Sequence, residues 1–185
     1  MILFRQSDPN YPFLWESDAQ FAQRWHAEGD GPAHYFTTTA DGAWAEFLRH
    51  EEIKDPEELK GLRERAVWVV EIDMNSSLFN VIDLPQSVLT GGEETWPECQ
   101  REAARIRHET GTNMIRVPSA ALKYPGATMY YVDGGQKTVD IDSEVIVIFG
   151  PQPELRAHLA ARGRPNPRIL ERVRHRPERK NGRNK

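Results

Sequence analysis

The sequence predicts an α+β fold with a mixed, mostly antiparallel sheet, and three observations carry that reading. Seven short apolar runs have strand character, the amphipathic helical stripes fall early and in the middle of the chain, and 185 residues fit one domain. A chain of this length buries about two-thirds of its unfolded surface, enough for a real core.

The elements follow in order. Ile2–Phe4 reads as a short strand and SDPNYP as a loop. Ser17 with Gln20 three residues on has the form of a capping box, predicting a short helix through about Trp25. Gly29 to Pro32 is a turn and Ala33–Thr37 a strand. Thr39 caps a helix whose apolar residues Ala40, Ala43, Trp44, Phe47 and Leu48 form one stripe. Asp55-Pro56-Glu57-Glu58 starts another: a cap, a proline at the first position and acids in the first turn. Val67–Ile72 and Phe79–Ile82 read as buried strands.

Past the Gly91-Gly92 loop, a helix runs from about Pro97 to Thr110, stops at Gly111 and buries a thin face of Cys99, Ala103 and Ile106. Asn113–Val117, Thr128–Val132 and Val145–Phe149 complete the strands, and residues 153–162 and 167–174 read as two late helices. No internal repeat appears. Gly163–Pro167 is the one stretch with linker character. The domain reading is therefore a body over 1–150 and a basic, helical or disordered extension over 151–185.

Composition excludes several classes. A content of 38% hydrophobic and 28% charged residues describes a soluble globular chain. Its single cysteine, Cys99, forbids an intrachain disulfide and fits a reducing cytoplasm. The opening MILFRQSDPN meets an arginine and an aspartate within its first eight residues, unlike a signal-peptide apolar region. The longest apolar run, Val145 to Phe149, is far too short to span a bilayer as a helix. The net charge of −4 divides unevenly: residues 161–185 carry eight Arg and two Lys against two Glu, or +8, leaving −12 on the first 160. The acidic body argues against a nucleic-acid grip in the core domain. The basic tail is either a solvated extension or a docking arm for nucleic acid, an acidic partner or its own body.

Most standard motifs are missing. There is no phosphate loop and no G-x-G-x-x-G, and Gly91-Gly92 and Gly134-Gly135 read as turns. His26, His34 and His50 lack helical zinc spacing, so no metal site is expected. Ser119, in VPSA, has no nucleophile-elbow flank.

What remains is an ordered set: Arg5, Arg24-Trp25, Tyr35 and Glu46. A cation, an aromatic ring and a lone carboxylate suit the breaking of a nucleoside's glycosidic bond. The cation holds phosphate, the ring stacks on the departing base, and the carboxylate steadies positive charge on the ribose. Each residue also has a plainer reading. Arg5 ends a strand and could pair with a surface acid, and Tyr35 suits a half-buried core position. Glu46 lies about 120° from its helix's apolar stripe, an angle that serves a cleft or open water.

Read in order, these segments resemble the RES family, bacterial proteins named for an arginine, a glutamate and a serine. The best known of them are toxins of toxin–antitoxin pairs. The family pattern is an aromatic-Arg strand, G-G-R-W-N, a Gly-Pro turn, a Y-L-A-x-S strand end and A-x-x-E on a helix. Here those steps read FRQ, AQRWH, GDGPAHYFTTT and AWAE. Further on, VWVVEIDMNSSLFNVIDL resembles the family's strand pair ending in D-L. TWPECQ resembles its W-x-x-C-Q helix entry, and GTNMIRVPSAA its G-x-x-V-P-S-A strand. The likeness covers residues 1 to about 150. Ala22 and Gln23 replace the two glycines, His26 the asparagine, and Pro97 a serine that some members carry, leaving Ser119 as the candidate family serine.

The resemblance implies an ADP-ribosyltransferase-like, split, mostly antiparallel sheet with flanking helices, clasping NAD over residues 1–150. It also implies loss of nicotinamide from NAD by hydrolysis or phosphorolysis, with NAD a consumed substrate and no metal. Glu46 would stabilise the cationic sugar, Arg5 and Arg24 would hold the pyrophosphate, Tyr35 would stack on or fix the nicotinamide ribose, and Ser119 would join the NAD-binding set. A small helix-turn-helix antitoxin is the implied protein partner. Nucleic acid would enter only through the basic tail, and no membrane partner is expected. Two rival classes stand beside this: an ADP-ribosyltransferase acting on a protein or nucleic acid, and a non-catalytic module that keeps the fold.

Overall fold

Eight strands and four α-helices form from residues 1–72 and 82–176, which the computed structural model describes. They are β1 (Ile2–Ser7), β2 (Ala33–Thr37), α1 (Ala40–His50), α2 (Pro56–Gly61), β3 (Arg65–Glu71) and α3 (Gln86–Thr90). Then come α4 (Trp96–Thr110), β4 (Met114–Pro118), β5 (Ala127–Val132), β6 (Gln136–Ile141), β7 (Glu144–Phe149) and β8 (Ala157–Gly163). Six strands make one sheet in the order β4-β7-β2-β1-β3-β8, and β5 and β6 form a separate hairpin. The coarse α+β class is as expected, and every neighbouring pair in the large sheet is antiparallel.

β7, EVIVIF, is buried on both faces because helix and loop cover opposite sides of the sheet. Val145, Val147 and Phe149 pack with Cys99, Ala103 and Ile106 of α4, while Ile146 and Ile148 pack with Leu3, Phe36 and Val70 on the other side. A third cluster joins α1 and α2 to Ala121, Leu122, Ile169, Leu170 and Val173.

Within the large sheet, β1 and β3 pair along six positions, whereas β1 and β2 pair at one, Phe4 with Thr37. Side chains supplement that junction. The Arg5 guanidinium donates to the Tyr35 carbonyl at 3.1 Å, and Thr37 Oγ1 lies 3.3 Å from the Phe4 carbonyl oxygen.

Three of the expected helix ends are marked by the residues that signalled them. Thr39 accepts from the Gly42 N–H, Asp55 and Glu58 form a capping box, and Gly111 ends α4 with a positive φ of 68°. Gly42 has a second role: a Cβ there would meet Ser143 Oγ at 2.1 Å, so α1 crosses the start of β7 closer than any other residue permits.

Several expectations are corrected. The segment from Ser17 to Trp25 is turns, not a helix: Ser17 Oγ accepts from Ala19 N–H in a local turn, and the Gln20 side chain turns inward to accept from Ala33 N–H. The late helices are also revised. Residues 157–163 are β8, paired along β3, because that open edge outweighs the helix propensity of AHLAARG. Residues 167–172 are a 3-10 turn that buries Ile169 and Leu170. Past residue 150 the sheet continues through β8 to Gly163, and the core cluster of α1 continues to Val173. β6 went unexpected because the alternation in QKTVDI is confined to Val139 and Ile141, and the strand is largely exposed. The expected strand Phe79–Ile82 falls, but for Ile82, outside the described residues.

Candidate functional site

A cavity of about 480 Å³ is lined by residues from both sides of the β1–β2 junction and by α1. Arg5, Arg24, Tyr35 and Glu46 all line it. Four residues spread over forty positions of sequence thus converge, which chain order alone did not require. Arg49, Arg65 and Arg176 also line the cavity, so five arginines face two carboxylates, Glu46 and Glu51. The lining thus carries an excess of positive charge.

Arg5, Arg24 and Arg49 are held by backbone carbonyls, whereas Arg65 and Arg176 pair with Asp8 and Glu93. Arg24 donates through Nη1 to the Val88 carbonyl at 3.0 Å and through Nη2 to the Gly91 carbonyl at 2.7 Å. Arg49, buried on α1, donates to the carbonyls of Ala120, Arg174, Thr90 and Gly91 at 2.6–3.0 Å. Burial lowers the pKa of Arg49 to about 10, with the charge of Arg24 adding to it. Burial alone lowers Arg5 to about 10 as well, and its Nε is enclosed without a hydrogen-bond partner among the described residues. Both remain protonated at neutral pH. A buried guanidinium with an unused donor favours an incoming phosphate oxygen over water.

Tyr35 projects from β2 with its ring against the core and its hydroxyl engaged. The hydroxyl accepts from the Trp25 N–H at 3.1 Å and lies 3.0 Å from His26 Nδ1. Burial raises the tyrosine pKa well above its ordinary value and lowers that of His26, so both groups are neutral. The hydroxyl is thus occupied by Trp25 and His26 within the protein.

Glu46 stands one turn before Arg49 on α1. Its Oε1 accepts from Ser119 Oγ at 2.8 Å and from Ala121 N–H at 3.3 Å. Oε2 has no hydrogen bond among the described residues. Ser119, expected among the NAD-contacting residues, is 5% exposed and does not line the cavity. It touches the site through Glu46 instead, because its place after β4 puts the hydroxyl behind the carboxylate.

Sequence reasoning missed Arg49, His26 and Arg176. For Arg49 a signal existed: the i, i+3 spacing from Glu46 places both on one helix flank. For Arg176 none did, since its tail reads as solvated. In the structure it pairs with Glu93 at 2.8 Å and lines the cavity. Among the described residues no group of three or more His, Cys, Asp or Glu is placed to hold a metal ion, and no helix is long and apolar enough to cross a membrane. No protein-family model and no curated protein matches this chain.

Proposed function

We propose that this protein consumes NAD, cleaving the bond between nicotinamide and ribose as a glycohydrolase or phosphorylase of the RES type. On this reading the six-stranded sheet, joined at one position between β1 and β2, is the split sheet of an ADP-ribosyltransferase-like fold. The observation that carries the proposal is a carboxylate, Glu46, fixed through one oxygen and open through the other, in the same cavity as Arg5, Arg24 and Tyr35.

Arg5 and Arg24 grip the pyrophosphate, whose paired anionic oxygens suit planar guanidinium forks. The C1′–N bond breaks with its electron pair moving to the pyridinium nitrogen, so nicotinamide leaves neutral. Positive charge appears on C1′ and the ring oxygen, and the Glu46 carboxylate stabilises it. A single preorganised electrostatic contact of this kind contributes about 3–4 kcal/mol to the rate. Water or phosphate then forms the new C1′–O bond and releases its proton to solvent. The cytoplasmic NAD pool is the substrate source, and a toxin's role, with a small helix-turn-helix antitoxin as partner, follows from the same family reading.

The test is incubation of the purified protein with NAD, with and without phosphate, followed by product analysis. Nicotinamide with ADP-ribose or its 1-phosphate supports the proposal and identifies the nucleophile. Label transferred to a macromolecule instead assigns a transferase, and NAD bound but intact assigns a non-catalytic module.

A further inference from the structure

Two large rings stand at the mouth of the cavity and belong to none of the three core clusters. Trp15 is 54% exposed and Phe21 78% exposed, and both line the cavity that holds the arginines. Their centroids lie 6.5 Å apart at 59°, so they form a tilted apolar lip. The segment that carries them is fixed from within by Gln20, which is nearly buried. Its Nε2 donates to the Trp15 carbonyl, and its Oε1 accepts from Ala33 N–H at 3.0 Å, at the start of β2.

Exposed rings gain by covering their apolar faces, and here the neighbouring surface is cationic. The ligand that satisfies both is a flat heteroaromatic base joined to phosphate. A nucleotide has that chemistry, and a purine offers the largest face for stacking. We propose that Trp15 and Phe21 form the platform for the adenine of NAD, the end of the dinucleotide remote from Glu46. This rests on NAD being the substrate, and it gives each part of the cavity one portion of the dinucleotide. The aromatic lip binds the base, the arginines bind phosphate, and Glu46 serves the reacting ribose.

The experiment measures AMP and nicotinamide mononucleotide binding by calorimetry, on the full chain and on Trp15→Ala and Phe21→Ala. The exposure of both rings means that the variants should melt with the parent. Base stacking on one aromatic side chain corresponds to roughly a five- to hundredfold effect on affinity. AMP affinity should fall by that factor in each variant, and the ratio of AMP to nicotinamide mononucleotide affinity should fall with it. Trp15→Phe should recover most of the loss. Tyr11→Ala, an exposed ring of the same loop that does not line the cavity, should bind AMP as the parent does.

Equal AMP affinity in parent and variants, or no AMP binding by the parent, would overturn the platform. The cleavage reading is scored separately, by nicotinamide release. AMP binding that depends on the rings in a protein that leaves NAD intact upholds the platform and removes the cleavage proposal. Cleavage with an unchanged KM in both variants does the reverse.

Discussion

Ser119 donates its hydroxyl hydrogen to Glu46 Oε1 at 2.8 Å, and the direction of that bond is fixed by its neighbours. The Ala121 and Leu122 N–H groups both point at Ser119 Oγ, at 3.2 and 3.0 Å. With both lone pairs taken, the only hydrogen left is the serine's own, and Glu46 as a carboxylate receives it. The serine is therefore a positioning residue.

For this pair, two substitutions separate charge from placement. Glu46→Gln keeps the shape and removes the charge, and should lower kcat for NAD cleavage about a hundred- to a thousandfold. Ser119→Ala removes one hydrogen bond to a charged group and should lower kcat about ten- to a hundredfold with KM unchanged. Ser119→Thr should restore part of the loss. Steady-state nicotinamide release is the readout, and full activity in Glu46→Gln would remove the carboxylate from the mechanism.

Arg5 should resist conservative exchange. Lysine keeps the charge but cannot both donate to the Tyr35 carbonyl and present a fork to a pyrophosphate. Arg5→Lys should raise the KM for NAD about tenfold or more, a change read directly from saturation curves.

Acid should destabilise the fold through its buried histidines. Burial lowers the pKa of His26, and it does the same for His34, where the charge of Arg5 adds to the effect. The folded state thus binds fewer protons than the unfolded chain. Their stabilising contribution is complete above the ordinary histidine value of 6.5 and is lost as pH falls below it. Thermal melts between pH 7.5 and 5 should show a falling Tm, and His34→Gln should flatten the slope.

Removing the C-terminal segment should unfold the protein. Truncation after Arg162 deletes Ile169, Leu170 and Val173, each buried in the α1 cluster, and the Arg174 carbonyl that Arg49 bonds. At roughly 1.5–3 kcal/mol per buried side chain, the loss is comparable with the whole stability of an ordinary domain. The expected result is an insoluble product or one without a cooperative melt. A soluble, cooperatively melting truncation would show that these residues are not needed for the fold.

How much of this was legible beforehand depends on what each residue's neighbours could reveal. Thr39, Asp55-Pro56 and Gly111 announce helix ends by local chemistry, and they mark them in the structure. Ser17 and Gln20 carry the same local letters as a helix cap, yet Gln20 is drawn inward by Ala33, a partner no local window contains. β8 fails for the same reason, since the edge of β3 decides it. The convergence of Arg5, Arg24, Tyr35 and Glu46 was an expectation from their order, and their shared cavity is a matter of topology. The placement of Ser119 behind the carboxylate needed coordinates, because a serine in VPSA reads as a turn residue.

The lone backbone rung between β1 and β2 has a mechanical consequence. A sheet is stiff along a continuous ladder and compliant where rungs are missing, so its softest line runs beside Phe4 and Thr37, along one wall of the cavity. On that line the Arg5 guanidinium acts as a tie-rod between the two halves, and it is also the group an anion would grasp. Any ligand that engages Arg5 therefore loads the junction itself. By linkage, whatever widens or narrows that gap changes affinity to the same extent that the ligand changes the gap.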